Sequence, residues 1–70
     1  MKRASEPVTL TPRQKQIISL ASEGKTYKQI AVKLCIAEDT VRSHLTTVRL
    51  KLNANNTVRA VCLAIGSGII

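Results

Sequence analysis

The sequence TYKQIAVKLCIAEDTVRSHLTTVRLKL, residues 26–52, decides the fold of this chain. Its second half repeats apolar residues at the i, i+4, i+7 and i+11 spacing of a buried helical stripe: Val41, Leu45, Val48 and Leu52. At about 100° per residue, the last three lie within roughly 40° of the first. The pattern predicts a long helix with one side in a hydrophobic core.

Polar and cationic side chains occupy the rest of this helix. Arg42, Thr46 and Arg49 lie together roughly 80–140° from the stripe, and Thr40, His44 and Lys51 flank it on the other side. Residues 26–34 predict another amphipathic helix, and only residues 35–37 separate the two. Two helices joined by so tight a turn, the second with a cationic outer face, are typical of a helix-turn-helix that binds the DNA major groove.

The pattern alone also fits a simpler interpretation, in which the charged face of the long helix is only solvated. The net charge of the chain favours DNA. Eleven Lys and Arg against four Asp and Glu give a charge of +7 on 70 residues, which indicates a polyanionic partner. Tyr27 is the one aromatic residue, and proteins that bind RNA or single strands stack bases on aromatic side chains. Double-stranded DNA is therefore the better candidate.

Composition also limits the other classes of function. Cys35, Cys62 and the lone His44 offer neither a disulfide scaffold nor the spacing of a zinc site, so we expect no metal and no cofactor. His44 has no acid or nucleophile partner in the pattern, so an enzyme is not expected. Residues 1–13 contain no apolar run of a secretory signal, and residues 60–70 are too short to span a bilayer. We expect a soluble, cytoplasmic protein that makes no membrane contact.

The chain before the long helix predicts a linker and two helices. Residues 1–9 are polar, basic and broken by Pro7, which indicates a flexible lead, and residues 10–70 form one domain. Thr11 before Pro12 predicts the start of the first helix, with Gly24 at its end. Thr26 is expected to cap the second helix. The residues expected to face inward are Ile17, Ile18, Leu20, Ala21, Ile30, Ala31 and Leu34, and those expected to face outward are Arg13, Gln14 and Lys15. Leu10, before the cap, is expected to pack onto the first turn of the first helix.

The turn between the second and third helices is predicted at residues 35–37. Cys35 stands where the backbone often needs a positive φ, at a cost of about 1 kcal/mol for a residue other than glycine. We expect its side chain to be a small, semi-buried filler and Ile36 to enter the core. Glu38 and Asp39 suit the positive end of the third helix.

The last helix is predicted from Thr57 to about Ile65, with Asn56 as its cap, and it is apolar nearly all round. One stripe contains Ala60, Val61 and Ala64, and a second stripe turned by about 120° contains Val58, Cys62 and Ile65. So small a domain can bury only one of them. The second stripe predicts a partner, most simply another copy of the chain, although a contact with a further domain or a merely apolar surface also fits.

With these landmarks placed, the chain from Leu10 to Ile70 resembles the LuxR-type (GerE-like) helix-turn-helix domain. The matching segments are LTPRQ at residues 10–14, EGKTYKQIA at 23–31, IAEDTVRSHL at 36–45, KLNANN at 51–56, AVCLAI at 60–65 and the closing GII. They occur in the order and at the distances of the family. The segment KLNANN with the following AV and GII most resembles the quorum-sensing subgroup, whose members carry an N-terminal domain that binds acyl-homoserine lactones.

Four positions depart from the family pattern. The family often has Glu at the positions of Gln14 and Gln29, Gly at Cys35 and Ser at Ala37. Without the serine, the third helix is expected to lack a side-chain cap worth about 1 kcal/mol. None of the four lies on the expected DNA face.

The resemblance implies an all-α, four-helix domain whose third helix is the recognition helix and whose fourth makes a homodimer. It implies base contacts by Arg42, Ser43 and Thr46 and phosphate contacts by Lys28, Thr40, His44 and Lys51. It also implies dimer contacts by Val58, Cys62 and Ile65. From its place further along the helix, we expect Arg49 to contact the DNA backbone as well.

The function we expect is transcription regulation by a dimer on a two-fold symmetric site, with half-sites about 10 bp apart. If the chain is a fragment, it would be the C-terminal output domain of a signal-responsive regulator controlled by an N-terminal sensor domain, and if it is complete, it would act constitutively or under the control of a partner. We expect no small molecule to bind this segment. One alternative is the output domain of a two-component response regulator. Another is a protein-interaction module that acts through the fourth helix. A cationic membrane-surface peptide is disfavoured, because its lysines should lie along one long helix.

Overall fold

Four helices make up the part of the chain that the computed structural model describes, residues 9–70. They are α1 (Pro12–Ser22), α2 (Tyr27–Leu34), α3 (Glu38–Leu52) and α4 (Thr57–Gly66), with no strand among these residues. The prediction of an all-α, four-helix domain is confirmed. The predicted linker at residues 1–9 lies outside the described residues except for Thr9, so it stays a prediction.

The first two helices begin with the same reciprocal cap. The Thr11 hydroxyl accepts from the backbone N–H of Gln14 (3.1 Å), and the Gln14 side-chain oxygen accepts from the Thr11 N–H (3.0 Å). Thr26 and Gln29 repeat the arrangement at 3.1 and 2.8 Å. Each pair satisfies two backbone donors that a helix start leaves free. Glutamine thus makes the contact that glutamate makes in a capping box.

This cap corrects the prediction that Gln14 points outward. Its side chain is buried, with 7% of its surface exposed. The reason is that its amide oxygen lies over the start of α1 and also accepts a hydrogen bond from the Lys51 ammonium group, at 2.8 Å. The Thr-x-x-Gln spacing of residues 11–14 is the sequence signal for this geometry.

The hydrophobic core joins all four helices. The buried residues are Leu10, Ile17, Ile18, Leu20, Ile30, Ala31, Val41, Leu45, Val48, Leu52, Ala60 and Ala64, with Gln14 beside them. Helix α3 packs against each of the other three helices, and α1 also packs against α2 and α4. The predicted apolar stripe of α3 is therefore buried in full, which fixes the side of the helix that faces solvent.

The turn between α2 and α3 occupies residues 35–37, as predicted. Cys35 has the left-handed conformation (φ 58°, ψ 43°), and the Ile36 N–H donates to the Ala31 carbonyl at 3.0 Å. The prediction that Cys35 is semi-buried is wrong, because Ile36 is the turn residue that packs against the core and Cys35 is exposed.

Helix α3 begins without a side-chain cap. Ala37 has the extended backbone of an N-cap (φ −72°, ψ 150°), but its methyl group cannot accept a hydrogen bond. Ala37→Ser is therefore expected to raise the free energy of unfolding by about 1 kcal/mol. In a domain of this size the melting temperature would rise by about 4–8 °C.

Thermal unfolding followed by circular dichroism measures this change. Ala37→Val is the matched control, because valine alters the side chain without supplying an acceptor. Equal melting temperatures for the two variants would contradict the cap argument.

Helix α4 closes the domain over α1 and α3. The Asn56 side chain accepts from the Arg59 N–H at 2.9 Å, which confirms the predicted cap. Ala60 and Ala64 are fully buried, and their small side chains let α4 approach its neighbours closely. The apolar residues on the other side of α4 have no covering helix among the described residues.

Candidate nucleic-acid interface

The outer side of α3 carries the three residues expected to contact bases. Arg42, Ser43 and Thr46 are all exposed, while Val41 just before them and Leu45 among them are buried. The buried stripe holds α3 against α1 and α2, so the outer side presents these groups to solvent in one fixed orientation. The structure thus brings the three predicted residues together on one surface.

The Thr46 hydroxyl already has a partner within α3. It donates to the Arg42 carbonyl at 2.9 Å, and the Thr47 hydroxyl donates in the same way to the Ser43 carbonyl at 3.1 Å. Because the hydroxyl proton is engaged, Thr46 offers its methyl group and an oxygen lone pair to an outside group. These are groups that can contact a thymine methyl or a base donor.

Arg42 lies over an aromatic ring. Its guanidinium carbon is 5.2 Å from the centroid of the Tyr27 ring, at the start of α2. The Tyr27 hydroxyl is 3.3 Å from the Thr57 hydroxyl, at the start of α4. Neither contact follows from helical spacing, so the sequence alone did not predict them.

The residues expected to contact phosphate differ in their surroundings. Lys28 and Thr40 are exposed, whereas His44 and Arg49 are half-buried. Lys51 is also half-buried, and its ammonium group donates to Gln14 Oε1 (2.8 Å) and to the Thr9 carbonyl (3.1 Å). Lys51 therefore joins α3 to the start of α1, a role that its place in the helical pattern does not predict.

Two open grooves border these residues. One runs between α1 and α3 and is lined by Gln14, Asp39, Thr40, Ser43, His44 and Thr47. The other follows the outside of α2 and is lined by Lys25, Lys28, Gln29, Val32 and Lys33. The second groove places two further lysines beside Lys28, and Lys25 also approaches Glu23 at 3.9 Å.

The second stripe of α4 is exposed, as predicted. Val58 and Ile65 leave 72% and 57% of their surfaces in solvent, and Cys62 between them is exposed as well. These three residues, Val58, Cys62 and Ile65, form the α4 surface. It is apolar and lies on the side of the helix opposite Ala60 and Ala64.

The sequence model of the family described as bacterial regulatory proteins, luxR family, matches residues 8–64. The chain belongs to the luxR family. The quorum sensing-dependent transcriptional regulator RpaR of Rhodopseudomonas palustris is 46% identical over 61 residues, which cover 87% of this chain and 25% of RpaR.

Two solved structures resemble the luxR-family chain. The crystal structure of Escherichia coli SdiA matches with a TM-score of 0.87 and 36% identity, over 91% of this chain and 27% of that one. The response regulator ChrA of a heme-sensing two-component system matches with a TM-score of 0.85 and 32% identity, over 97% of this chain and 34% of ChrA. The chain thus spans about a quarter to a third of the length of these relatives.

The luxR family comprises DNA-binding transcription regulators and not enzymes, so this chain is a DNA-binding domain of that family. Residues 9–70 contain no helix that could span a bilayer. Nor do the described residues bring three or more His, Cys, Asp or Glu side chains close enough to hold a metal ion.

Proposed function

We propose that this luxR-family domain binds double-stranded DNA in a sequence-specific manner, with α3 in the major groove. The observation that carries the proposal is the arrangement of α3. Val41, Leu45 and Val48 are at most 1% exposed, so Arg42, Ser43 and Thr46 project from a firmly held helix. The net charge of +7 supports a polyanionic partner.

In this arrangement Arg42 donates two hydrogen bonds to O6 and N7 of a guanine. Ser43 contacts an adjacent base edge through its hydroxyl, and Thr46 contacts a base through its methyl group or its oxygen lone pair. The groups assigned to the DNA backbone are Lys28, Thr40, His44, Arg49 and Lys51. Since Lys51 already donates to Gln14 and Thr9, a contact with phosphate would compete with these bonds.

The α4 surface supports a homodimer. Exposed Val58, Cys62 and Ile65 give each chain an apolar face that two copies can bury against each other about a two-fold axis. Such a dimer would place two copies of α3 on half-sites about 10 bp apart, so the DNA site would be palindromic. Binding to bacterial chromosomal DNA would take place in the cytoplasm.

An upstream domain would control this activity. RpaR, described as quorum sensing-dependent, favours a sensor domain for a diffusible signal, whereas ChrA favours a phosphoacceptor receiver as the second candidate. Expression of the full-length gene product distinguishes them. Retention of an acyl-homoserine lactone by the purified protein supports the first, and phosphorylation from a small phosphodonor supports the second.

Lys28→Ala is expected to weaken binding to all duplexes by a similar factor and to lower the slope of log affinity against log salt by about one. The reason is that Lys28 is exposed at the start of α2, where its contact would be to phosphate and not to a base. Titrations at several salt concentrations, on the preferred and on an unrelated duplex, measure both effects. Lys15→Ala on α1 removes the same charge as a control, and a loss confined to one DNA sequence would contradict the assignment.

The proposed function is tested by incubating the chain with a pool of random duplex DNA over a salt series and sequencing the retained fraction. A steep salt dependence with enrichment of a palindrome supports a sequence-specific dimer and identifies its site. A steep salt dependence without enrichment of any sequence would mean that binding is driven by charge alone and is not sequence-specific. An absence of binding at low salt would favour the protein-interaction alternative and the α4 surface.

A further inference from the structure

Tyr27 connects the expected base-contacting arginine to the last helix. Its ring lies 5.2 Å from the Arg42 guanidinium carbon, within the range of a cation–π contact. Its hydroxyl lies 3.3 Å from the Thr57 hydroxyl. The ring is half-buried and Arg42 is exposed, so a partly buried group lies beneath an exposed one.

We propose that Tyr27 is a positioning residue that holds the Arg42 guanidinium ready for its base, and that Thr57 holds the Tyr27 ring. The inference rests on the proposed base contact by Arg42. It adds a determinant of specificity that does not itself need to contact DNA.

The geometry of the guanidinium explains how this works. A ring beneath the planar group occupies one face and leaves the N–H edge free, and the edge is the part that donates to guanine O6 and N7. An unsupported arginine on a helix surface loses rotamer freedom when it binds. If Tyr27 restricts Arg42 beforehand, less entropy is lost in the complex, and the gain applies only where Arg42 meets its correct base.

The contact with Thr57 adds a link between helices that do not pack on each other. Helix α2 packs against α1 and α3, and α4 likewise packs against α1 and α3, but within the described residues α2 and α4 have no direct backbone contact. The Tyr27–Thr57 pair bridges them at their first residues. The position of Arg42 therefore depends on where α4 lies, and α4 is the helix assigned to the dimer.

The test uses the 70-residue chain and the duplex selected by the wild-type protein. A second duplex differs from the selected one at a single base pair in one half-site, the base pair for which Arg42→Ala no longer shows a preference. Discrimination is the ratio of the dissociation constants for the two duplexes. Tyr27→Leu, which removes the ring, is expected to lower discrimination about two- to fivefold. Binding to an unrelated duplex and its salt dependence should change much less. In an Arg42→Ala background, Tyr27→Leu should cause no further loss of discrimination.

Two conservative variants separate the ring from the hydroxyl. Tyr27→Phe keeps the ring and Thr57→Val keeps the tyrosine, but each removes the bond between the two hydroxyls. Both should lower discrimination by the same small factor, less than Tyr27→Leu does, and the double variant should be no worse than either. These variants retain the side-chain volume, so they keep the test valid if Tyr27→Leu fails to fold.

A spectroscopic measurement tests the contact without DNA. The Tyr27 ring current should shift the NMR signals of the Arg42 side chain, and the shift should persist in Tyr27→Phe and vanish in Tyr27→Leu. Unchanged discrimination in folded Tyr27→Leu would overturn the inference, as would an equal effect with and without Arg42. If Arg42→Ala itself leaves discrimination unchanged, the proposed base contact fails and the positioning role fails with it.

Discussion

Arg42→Ala is expected to lower the preference of the domain for its own DNA site by about 5- to 150-fold. A bidentate contact from arginine to guanine contributes about 1–3 kcal/mol of discrimination, and this range converts to that factor. Arg42 is the exposed arginine on the outer side of α3, two positions after Thr40 and four before Thr46. Its loss should relax the preference at one base pair in each half-site while other positions of the selected sequence keep theirs.

Selection from the random duplex pool, repeated with Arg42→Ala, measures the change position by position. Arg42→Lys is the informative control, because lysine keeps the charge but lacks the planar, pre-organised fork of donors that matches guanine O6 and N7. Arg42→Lys should retain the salt dependence of DNA binding and still lose the preference at that base pair. Arg13→Ala removes the same charge from an exposed position on α1 and should preserve the selected sequence. An unaltered sequence preference in Arg42→Ala would show that Arg42 does not recognise a base.

The elements that sequence predicted correctly follow from local rules. Thr11, Thr26 and Asn56 precede apolar periodic segments and have side chains that accept from the backbone, and all three cap their helices. The spacing of Val41 and Leu45 fixes the inner side of α3 because a helix places residues four apart on the same face. The positive φ at Cys35 follows from the shortness of the turn. Each conclusion needs only a few neighbouring residues.

The contacts that sequence missed join residues far apart in the chain. Gln14 and Lys51 are separated by 37 positions, and Tyr27 and Thr57 by 30. Whether such side chains meet depends on the crossing of the helices, which no periodicity encodes. The candidate DNA surface was therefore predictable as a set of residues on one helix, but the support beneath Arg42 was not. The same limit affects Lys51, whose helical position indicates an outward charge and whose surroundings give it structural partners.

Ile65→Glu is expected to abolish dimer formation and to weaken binding to the two-half-site duplex by about 10²- to 10⁴-fold. Ile65 is 57% exposed in the single chain and belongs to the apolar α4 surface with Val58 and Cys62. A glutamate there would have to lose its water against a second copy without a compensating partner, which strongly disfavours association. Once the chains are separate, the second α3 no longer binds at the high effective concentration that the first provides, and this is the source of the large factor.

Sedimentation of the free chain and titration of duplexes with one or two half-sites separate the two consequences. Ile65→Glu should bind a duplex with a single half-site as the wild type does, because α3 is unaltered. It should lose only the gain in affinity that a second half-site gives the wild type. Leu50→Glu makes the same kind of change at a 77% exposed residue of α3, so it should leave the oligomeric state in sedimentation unchanged. Gln16→Glu adds a negative charge at an exposed position on α1, so it controls for repulsion between the added carboxylate and DNA. A dimer that survives Ile65→Glu, or a wild type that stays monomeric on the two-half-site duplex, would assign the α4 surface to another partner, such as the proposed upstream domain.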